Sequence, residues 1–525
     1  MNQQRLFKRK IIYFAAIAAL LFPLFALSQP ATTKSPGGKL AQLRKEYKLS
    51  EADLGQIDPT SASMKLATFG LQGAAVNLLW SRAIDFKERE DYTNFDATLQ
   101  QITYLQPHFY KVWDFQGHNV AFNISVEFDD YRDRYHHVIK GFNLLKKGIR
   151  YNEKEARLLR RLAFYTGIKI GRSDEKRYFR PMFAADQDYH SPPRDEDWLV
   201  GTRYEGRPQS LTDNWLVSKW WYKQAEDLID SGVIPYGTMN PFLIHSEAPM
   251  QQMHYAEALE TDGHFGEEVI EAWKQAGREW LAFGLRTIPS AAGLEVQLED
   301  IERLKENRDK ARKELLALEP GLREKLRQKQ LAELPPAERD AWEKPAGERT
   351  PEQKKLAATA TRKLRVTLDA LAMATNAKHR ARAIKLAERY RYFESRYQLV
   401  DQYRDMTINY MYWKNRTETE QTEQLLKARK LLYDAEQSYH DSDIPAALQQ
   451  YEEGFNLWRH ILDENPGLLA EETFVMDLWN EVEGYKDVLA QVRADGSRSL
   501  PEDFILPDVI DRWNQLYPTP TPGNG

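Results

Sequence analysis

Residues 424–466 read QLLKARKLLYDAEQSYHDSDIPAALQQYEEGFNLWRHILDENP, and this stretch decides the fold. Two helix-length runs, 424–439 and 445–462, flank the turn Asp441-Ser442-Asp443, and Pro466 follows the second. Ala435, Ala447 and Gly454 put small side chains where two helices would cross, and Tyr451 puts a large one between them. A two-helix unit cannot bury its apolar stripe alone, so the pair needs neighbours of its own kind.

Working outward, three more stretches offer such neighbours. Residues 250–260 and 267–283 flank the turn Thr261-Asp262-Gly263-His264-Phe265-Gly266. Residues 110–126 and 134–151 form another pair, and 75–87 with 95–105 a fourth, ended by Pro107. In that last pair Leu78, Leu79, Ala83 and Phe86 share one face at helical spacing, as do Leu99, Ile102 and Leu105 on the partner. Between Glu352 and Ile444 there is neither Gly nor Pro, which requires several helices with polar breaks near Asn376 and 415–420. No series of short alternating runs divided by Asn-Gly or Asp-Gly turns suggests a sheet. The expected fold class is all-α, built from degenerate helix pairs.

The pair at 424–466 resembles a tetratricopeptide repeat, a family with small residues at the helix crossing and a proline after the second helix. Pro466 falls about two turns late for that family, and no strict period of roughly 34 residues runs through the chain. Trp113 and Gly117, after Pro107, match more weakly.

Residues 294–371 differ in character. Leu294, Ile301 and Leu315, with Leu304, Ala311 and Leu318, follow a heptad pattern that Gln297 and Arg308 interrupt. This reads as a charged coiled-coil or helical-hairpin arm, ended by Pro320-Gly321, with Pro335-Pro336 and Pro345-Ala346-Gly347 as later breaks. Thr350-Pro351-Glu352-Gln353 predicts a helix start: Thr caps, Pro takes the first position and Gln the third. A helix returning from there could pack on the arm.

At the amino terminus Arg5, Lys8, Arg9 and Lys10 precede an uncharged run from Ile11 to Leu27, IIYFAAIAALLFPLFAL. As a helix it would extend about 26 Å, just short of a ~30 Å hydrocarbon core. Ala26 and Ser28 suit a signal-peptidase cut before Gln29. The run is expected to be a single transmembrane anchor at the cytoplasmic membrane with the body outside, or a cleaved signal for secretion to the periplasm. The expected divisions are 1–28 signal or anchor, 29–63 tether, 64–293 first repeat domain, 294–371 arm, 372–495 second repeat domain and 496–525 tail, whose end, PTPTPGNG, should be disordered or extended.

Composition narrows the function classes. The chain has 525 residues, room for three or four folding units of about 150 each. Its 13 Trp, 26 Tyr and 22 Phe argue against a disordered chain. A net charge of −5, from 78 acids against 73 bases, gives no nucleic-acid footprint. The absence of cysteine excludes disulfides, thiolate metal sites and cysteine nucleophiles. HExxH, GxSxG, GxxxxGK[ST] and a strand–helix GxGxxG are all missing.

Three clusters could still carry chemistry. Glu127, Asp129, Asp130 and Asp133 lie near His136 and His137; Asp129, Asp133 and His137 would share one helix face and could hold a divalent metal. Arg132 and Arg134 offset that charge, and acids also favour helix starts. Asp186, Asp188, His190, Asp195, Glu196 and Asp197 surround Pro192-Pro193 and precede Trp198, Trp215, Trp220, Trp221 and Tyr222. Acids beside aromatics would suit a sugar or peptide groove, whereas aromatics at helical spacing suit a core. His118 and Asn119, between Trp113 and Phe122, read as buried polar groups. No catalytic, cofactor-binding or metal residue is assigned.

The blocks at 78–135, LLWSRAIDFKEREDYTNFDATLQQITYLQPHFYKVWDFQGHNVAFNISVEFDDYRDRY, at 249–280, PMQQMHYAEALETDGHFGEEVIEAWKQAGREW, and at 451–466 are similar to large, exported, membrane-anchored helical-repeat proteins of planctomycetes, some labelled "iron responsive element". Residues 334–357, LPPAERDAWEKPAGERTPEQKKLA, resemble a spacer in other exported proteins of those bacteria. The resemblance implies compartment and helical architecture and supplies no activity, cofactor or site residue. The expectation is a non-enzymatic scaffold in the cell envelope, with other envelope proteins or peptides as partners, the membrane reached through Ile11 to Leu27, no nucleic acid, and self-association through the arm. The alternatives are an all-helical exported glycan-processing enzyme and a metal- or ligand-binding module.

Overall fold

The computed structural model describes residues 72–190, 210–232, 240–290 and 293–518, with a few isolated positions before residue 44. The chain divides into two units, 1–237 and 238–525, each with its own core.

The first unit contains α1 (Gln72–Glu88), α2 (Tyr92–Leu105), α3 (Tyr110–His118), α4 (Tyr131–Tyr151), α5 (Ala156–Gly171), α6 (Lys176–Ala185), α7 (Gln187–His190) and α8 (Asn214–Asp230). A π-helical turn, Asn119–Ile124, and a 3₁₀ turn, Ser125–Glu127, prolong α3. Carboxylates start four of these helices: Asp91, Asp130, Glu155 and Asp213 accept from Asn94, Arg132, Arg157 and Trp215 backbone N–H groups. α1 pairs with α2, α3 with α4 and α5 with α8. The α3–α4 crossing needs glycine at 141, where a Cβ would lie 2.7 Å from Ala121 Cβ and 2.8 Å from Gly117 O. Leu99, Ile102 and Leu105 are buried as expected, joined by Phe95. Leu78 is instead 61% exposed, because Val76 and Ala83 supply the inward face of α1.

The second unit holds α9 (Pro241–Thr261), α10 (Glu267–Leu285), α11 (Ile301–Ala317), α12 (Leu322–Ala332), α13 (Pro336–Glu343), α14 (Pro351–Lys363), α15 (Leu368–Ala374), α16 (Arg380–Asp401), α17 (Tyr410–Glu420), α18 (Glu423–His440), α19 (Ile444–Glu464), α20 (Glu472–Val492) and α21 (Pro507–Leu516). The α18–α19 pair forms as its sequence dictates. Thr422 and Asp443 cap the two helices, and Ala435, Ala447, Tyr451 and Gly454 are all buried. α20 touches both helices of that pair and also packs on α21, whose Asp508 accepts from Arg459 of α19 at 2.6 Å, the packing of stacked helix pairs. The α9–α10 pair joins the same stack from far back in the chain. Its turn places Gly263 at φ +86°, where a Cβ would lie 2.6 Å from Tyr433 Oη on α18, while the Phe265 ring sits 5.3 Å from that of Tyr433. Repeated helix pairs are therefore the architecture of this unit.

Between α10 and α17 the chain leaves the stack and returns. A small antiparallel ribbon, Ile288–Pro289 with Glu295–Val296, begins the excursion. Ile301, Leu304, Ala311 and Leu315 are buried along one seam of α11, as the heptad pattern predicts. The helix covering that seam is α16, not the one returning from Pro351. Arg308, the interruption, lies 3.4 Å from Glu394 and 4.6 Å from the Tyr397 ring, both on α16. Ion pairs from Arg308 to Glu394 and Arg382 to Glu314 run in opposite chain directions, so the two helices are antiparallel. The capping box at Thr350 forms as predicted, and α14 packs on α13.

Three expectations need correction. Self-association through the arm would use the α11 seam, which α16 of the same chain already fills. Residues 415–420 are not a polar break: they complete α17, with Arg416, Thr417, Thr419 and Glu420 buried. The anchor or signal helix at 11–27 lies, save for one position, outside the described residues, and no described helix is long and apolar enough to cross a membrane. Membrane attachment, export and the envelope partners that depended on them are withdrawn. The tether and residues 519–525 also lie outside the described residues, apart from isolated positions in the tether.

Candidate functional site

The polar residues of α17 meet charges from two other helices, α9 and α18. Arg416, 2% exposed at its side chain, donates towards Glu257 Oε1 on α9 at 2.7 Å and Glu420 Oε1 one turn along at 3.3 Å. Arg429 on α18 bonds the same Glu420, Nε to Oε2 at 2.9 Å, and reaches Glu260 Oε2 on α9 at 3.2 Å. Trp273 on α10 closes the set, its indole N–H donating to Glu260 Oε1 at 2.7 Å. Trp413, Trp273 and Phe474 surround the Arg416 guanidinium at 5.5 to 5.9 Å, and Trp458 lies 5.5 Å from Arg429. Two arginines thus bridge three carboxylates and tie α9, α17 and α18 into one block.

Burial raises the Glu260 carboxyl above the ordinary range, and the nearby Glu420 adds to this, while Arg429 and the Trp273 N–H oppose it. Desolvating each charge costs several kcal/mol, against which the pairing is set.

Beyond the junction, carboxylates without ion pairs of their own collect on the face shared by α18 and α20; burial raises Asp477 there, with Arg429 and Arg416 opposing. Glu481 is half-buried on α20 and is pushed up to about 7 by burial and by the negative charge of Glu436, with Arg429 opposing. Among the described residues neither Glu481 nor Asp477, one turn before it, makes an ion pair or hydrogen bond. Glu436 on α18 has His440 as its pair, 3.7 Å away on its own helix. Arg429 is already committed to Glu260 and Glu420. This face can therefore accept cations; it presents no nucleophile–base pair.

The clusters singled out in the sequence have other employment. Asp130 caps α4, which leaves Asp129 before the helix and off the face of Asp133 and His137. His137 bonds the Asp133 backbone O at 3.0 Å and stacks on Phe128. Asp186 accepts the Tyr135 hydroxyl at 2.8 Å and the Tyr189 N–H at 2.9 Å. His190 is buried with Nε2 2.6 Å from Phe183 O. Asp195, Glu196, Asp197 and Trp198 lie outside the described residues. Trp215, Trp221 and Tyr222 are core, so they line no groove; Trp215 fills the space beside Gly171. His118 Nδ1 lies 3.1 Å from Tyr165 Oη, its ring stacks on Phe122, and burial followed by Arg161 lowers its pKa. Asn119 is buried and bonds Asn123.

The junction escaped the sequence reading because charges within YAEALET and NRTETE look like solvated helix positions. The available signal was Arg416 and Glu420 at a four-residue step between Tyr412 and Leu425, with Glu257 and Glu260 at a three-residue step. No family model, no curated protein and no solved structure matches this chain. The resemblance to the planctomycete proteins thus finds no support, and what remains of it is the all-helical architecture.

Proposed function

We propose that this chain is a helical-repeat scaffold without chemistry of its own, which holds a lysine- or arginine-rich polypeptide segment on the α18–α20 face. The observation that carries the reading is Glu481: a half-buried carboxylate, with Asp477 beside it and Glu436 opposite, and no cation of its own. A basic side chain laid there would meet three carboxylates at once, in surroundings where a charge-assisted bond is stronger than in open water. Stacked helix pairs present such faces for polypeptide binding. The ionic junction beneath holds α18 against α9 and α17, so the α18 side of this face pays little ordering cost on binding.

Calorimetric titration of the full chain with a twelve-residue Lys-Lys-Leu repeat peptide tests this. Saturable binding that is weakened at least ~10-fold in Glu481→Lys supports the reading. Absence of heat, or equal binding by the variant, removes it.

A further inference from the structure

The α11–α16 pair sorts its charges unevenly between its two flanks. At the seam Arg308 is paired with Glu394, and on one flank Arg391 is paired with Asp369. The other carries Arg303 and Lys310 from α11 and Arg382, Arg389 and Arg396 from α16, each set at steps that keep it on one helical face. Their partners are weak. Arg382 reaches Glu314 at 3.9 Å, Arg389 reaches the Asn307 amide oxygen at 3.5 Å, and Arg396 reaches a backbone carbonyl at Glu295. Only Arg303 is held firmly, by Asp300. Exposed contacts of this kind contribute little and are readily exchanged.

An aromatic lies within this cationic strip. Tyr392, 53% exposed, sits on the same face of α16, with the Arg396 guanidinium 4.9 Å from its ring. Beside it a recess of about 80 Å³ is floored by Val296, Leu304 and Val400. It is smaller than the roughly 150 Å³ void that takes a benzene ring, which suits one aliphatic side chain.

We propose that this flank docks an acidic polypeptide segment, whose carboxylates lie along Arg382, Arg389 and Arg396 while one aliphatic side chain enters the recess beside Tyr392. Charge complementarity selects the partner's sign. The recess selects its class: its apolar floor rewards an aliphatic side chain, which a run of phosphates lacks. The surface is separate from the α18–α20 face and opposite in charge, so the inference goes beyond the function proposed above.

The test uses the full chain and fluorescence anisotropy at about 0.15 M salt, where charges beyond ~8 Å are screened. The probes are a labelled Glu-Glu-Leu repeat peptide, its Gln-Gln-Leu counterpart, a single-stranded thymidine 20-mer and phosphatidylserine vesicles. The expected result is saturable binding of the acidic peptide only. Arg382→Glu/Arg389→Glu/Arg396→Glu should weaken it at least ~10-fold, and Tyr392→Ala about 5-fold, with far-UV circular dichroism unchanged and binding of the Lys-Lys-Leu peptide unchanged. Equal binding of the glutamine peptide, tighter binding of the oligonucleotide or vesicles, or an unaffected triple variant overturns the proposal. Should the triple variant unfold, Lys310→Glu combined with Tyr392→Ala gives the same reading.

Discussion

Arg416 on α17 and Glu257 on α9 meet at 2.7 Å inside the second unit, although the whole α11–α16 excursion separates them in the chain. Their contact, continued through Glu420 to Arg429 and Glu260, makes one stack of helix pairs out of two distant stretches.

That continuity predicts an asymmetric mutational response. Arg416→Met leaves Glu257 without its arginine and Glu420 with Arg429 alone, and should cost about 3–5 kcal/mol in urea unfolding. Arg416→Met combined with Glu420→Gln removes charge of both signs and should cost clearly less. Equal losses would mean that the charges do not act as a unit.

Stability of the second unit should fall as pH rises towards neutrality. The folded-state value of Glu481, about 7, lies above its unfolded value near 4.5. The native state therefore holds a proton that the unfolded chain releases. The stabilisation is complete below about pH 4.5 and is lost as pH rises through about 7. Glu260 is shifted in the same direction. Urea midpoints between pH 5 and 8 should decline in the parent chain and decline less in Glu481→Gln. A midpoint that rises over this window contradicts the assignment.

Gly263 supports the contact between the α9–α10 turn and α18. Gly263→Ala adds a methyl against Tyr433 Oη at positive φ and should cost about 1–2 kcal/mol. Gly293, also at positive φ but with open space around its Cβ position, should lose less on the same change. Paired thermal melts of the two variants separate backbone strain from the lost contact.

Within the excursion, Leu315→Ala opens the seam between α11 and α16 and should cost about 2–5 kcal/mol. Arg308→Leu should change stability by less than about 1 kcal/mol, since it exchanges a partly exposed ion pair for apolar contact on the same seam. Hydrogen exchange confined to α11 and α16 would show that the loss is local.

The helix pairs were legible because their signals are local. Small residues at crossings, capping groups such as Thr350 and an apolar stripe such as Leu99-Ile102-Leu105 sit within single helices. The partner of α11 was not legible, because a heptad stripe states that a helix needs a partner and not which one. The ionic junction was hidden for a similar reason. Arg416 looks solvated until helices from four places in the chain close around it. The acidic runs at 127–137 and 186–190 left two readings open in the sequence, since a helix cap and a metal ligand draw on the same residues; Asp130 serves as a cap and Asp186 accepts from Tyr135 and Tyr189.

The central claim is that the α18–α20 face holds a basic segment, and amide hydrogen exchange of the full chain with and without the Lys-Lys-Leu peptide tests it most directly. The expected result is slowed exchange in α18 and α20 around Glu436 and Glu481, abolished in Glu481→Lys. Slowing elsewhere in the chain, or slowing that persists in that variant, would contradict it.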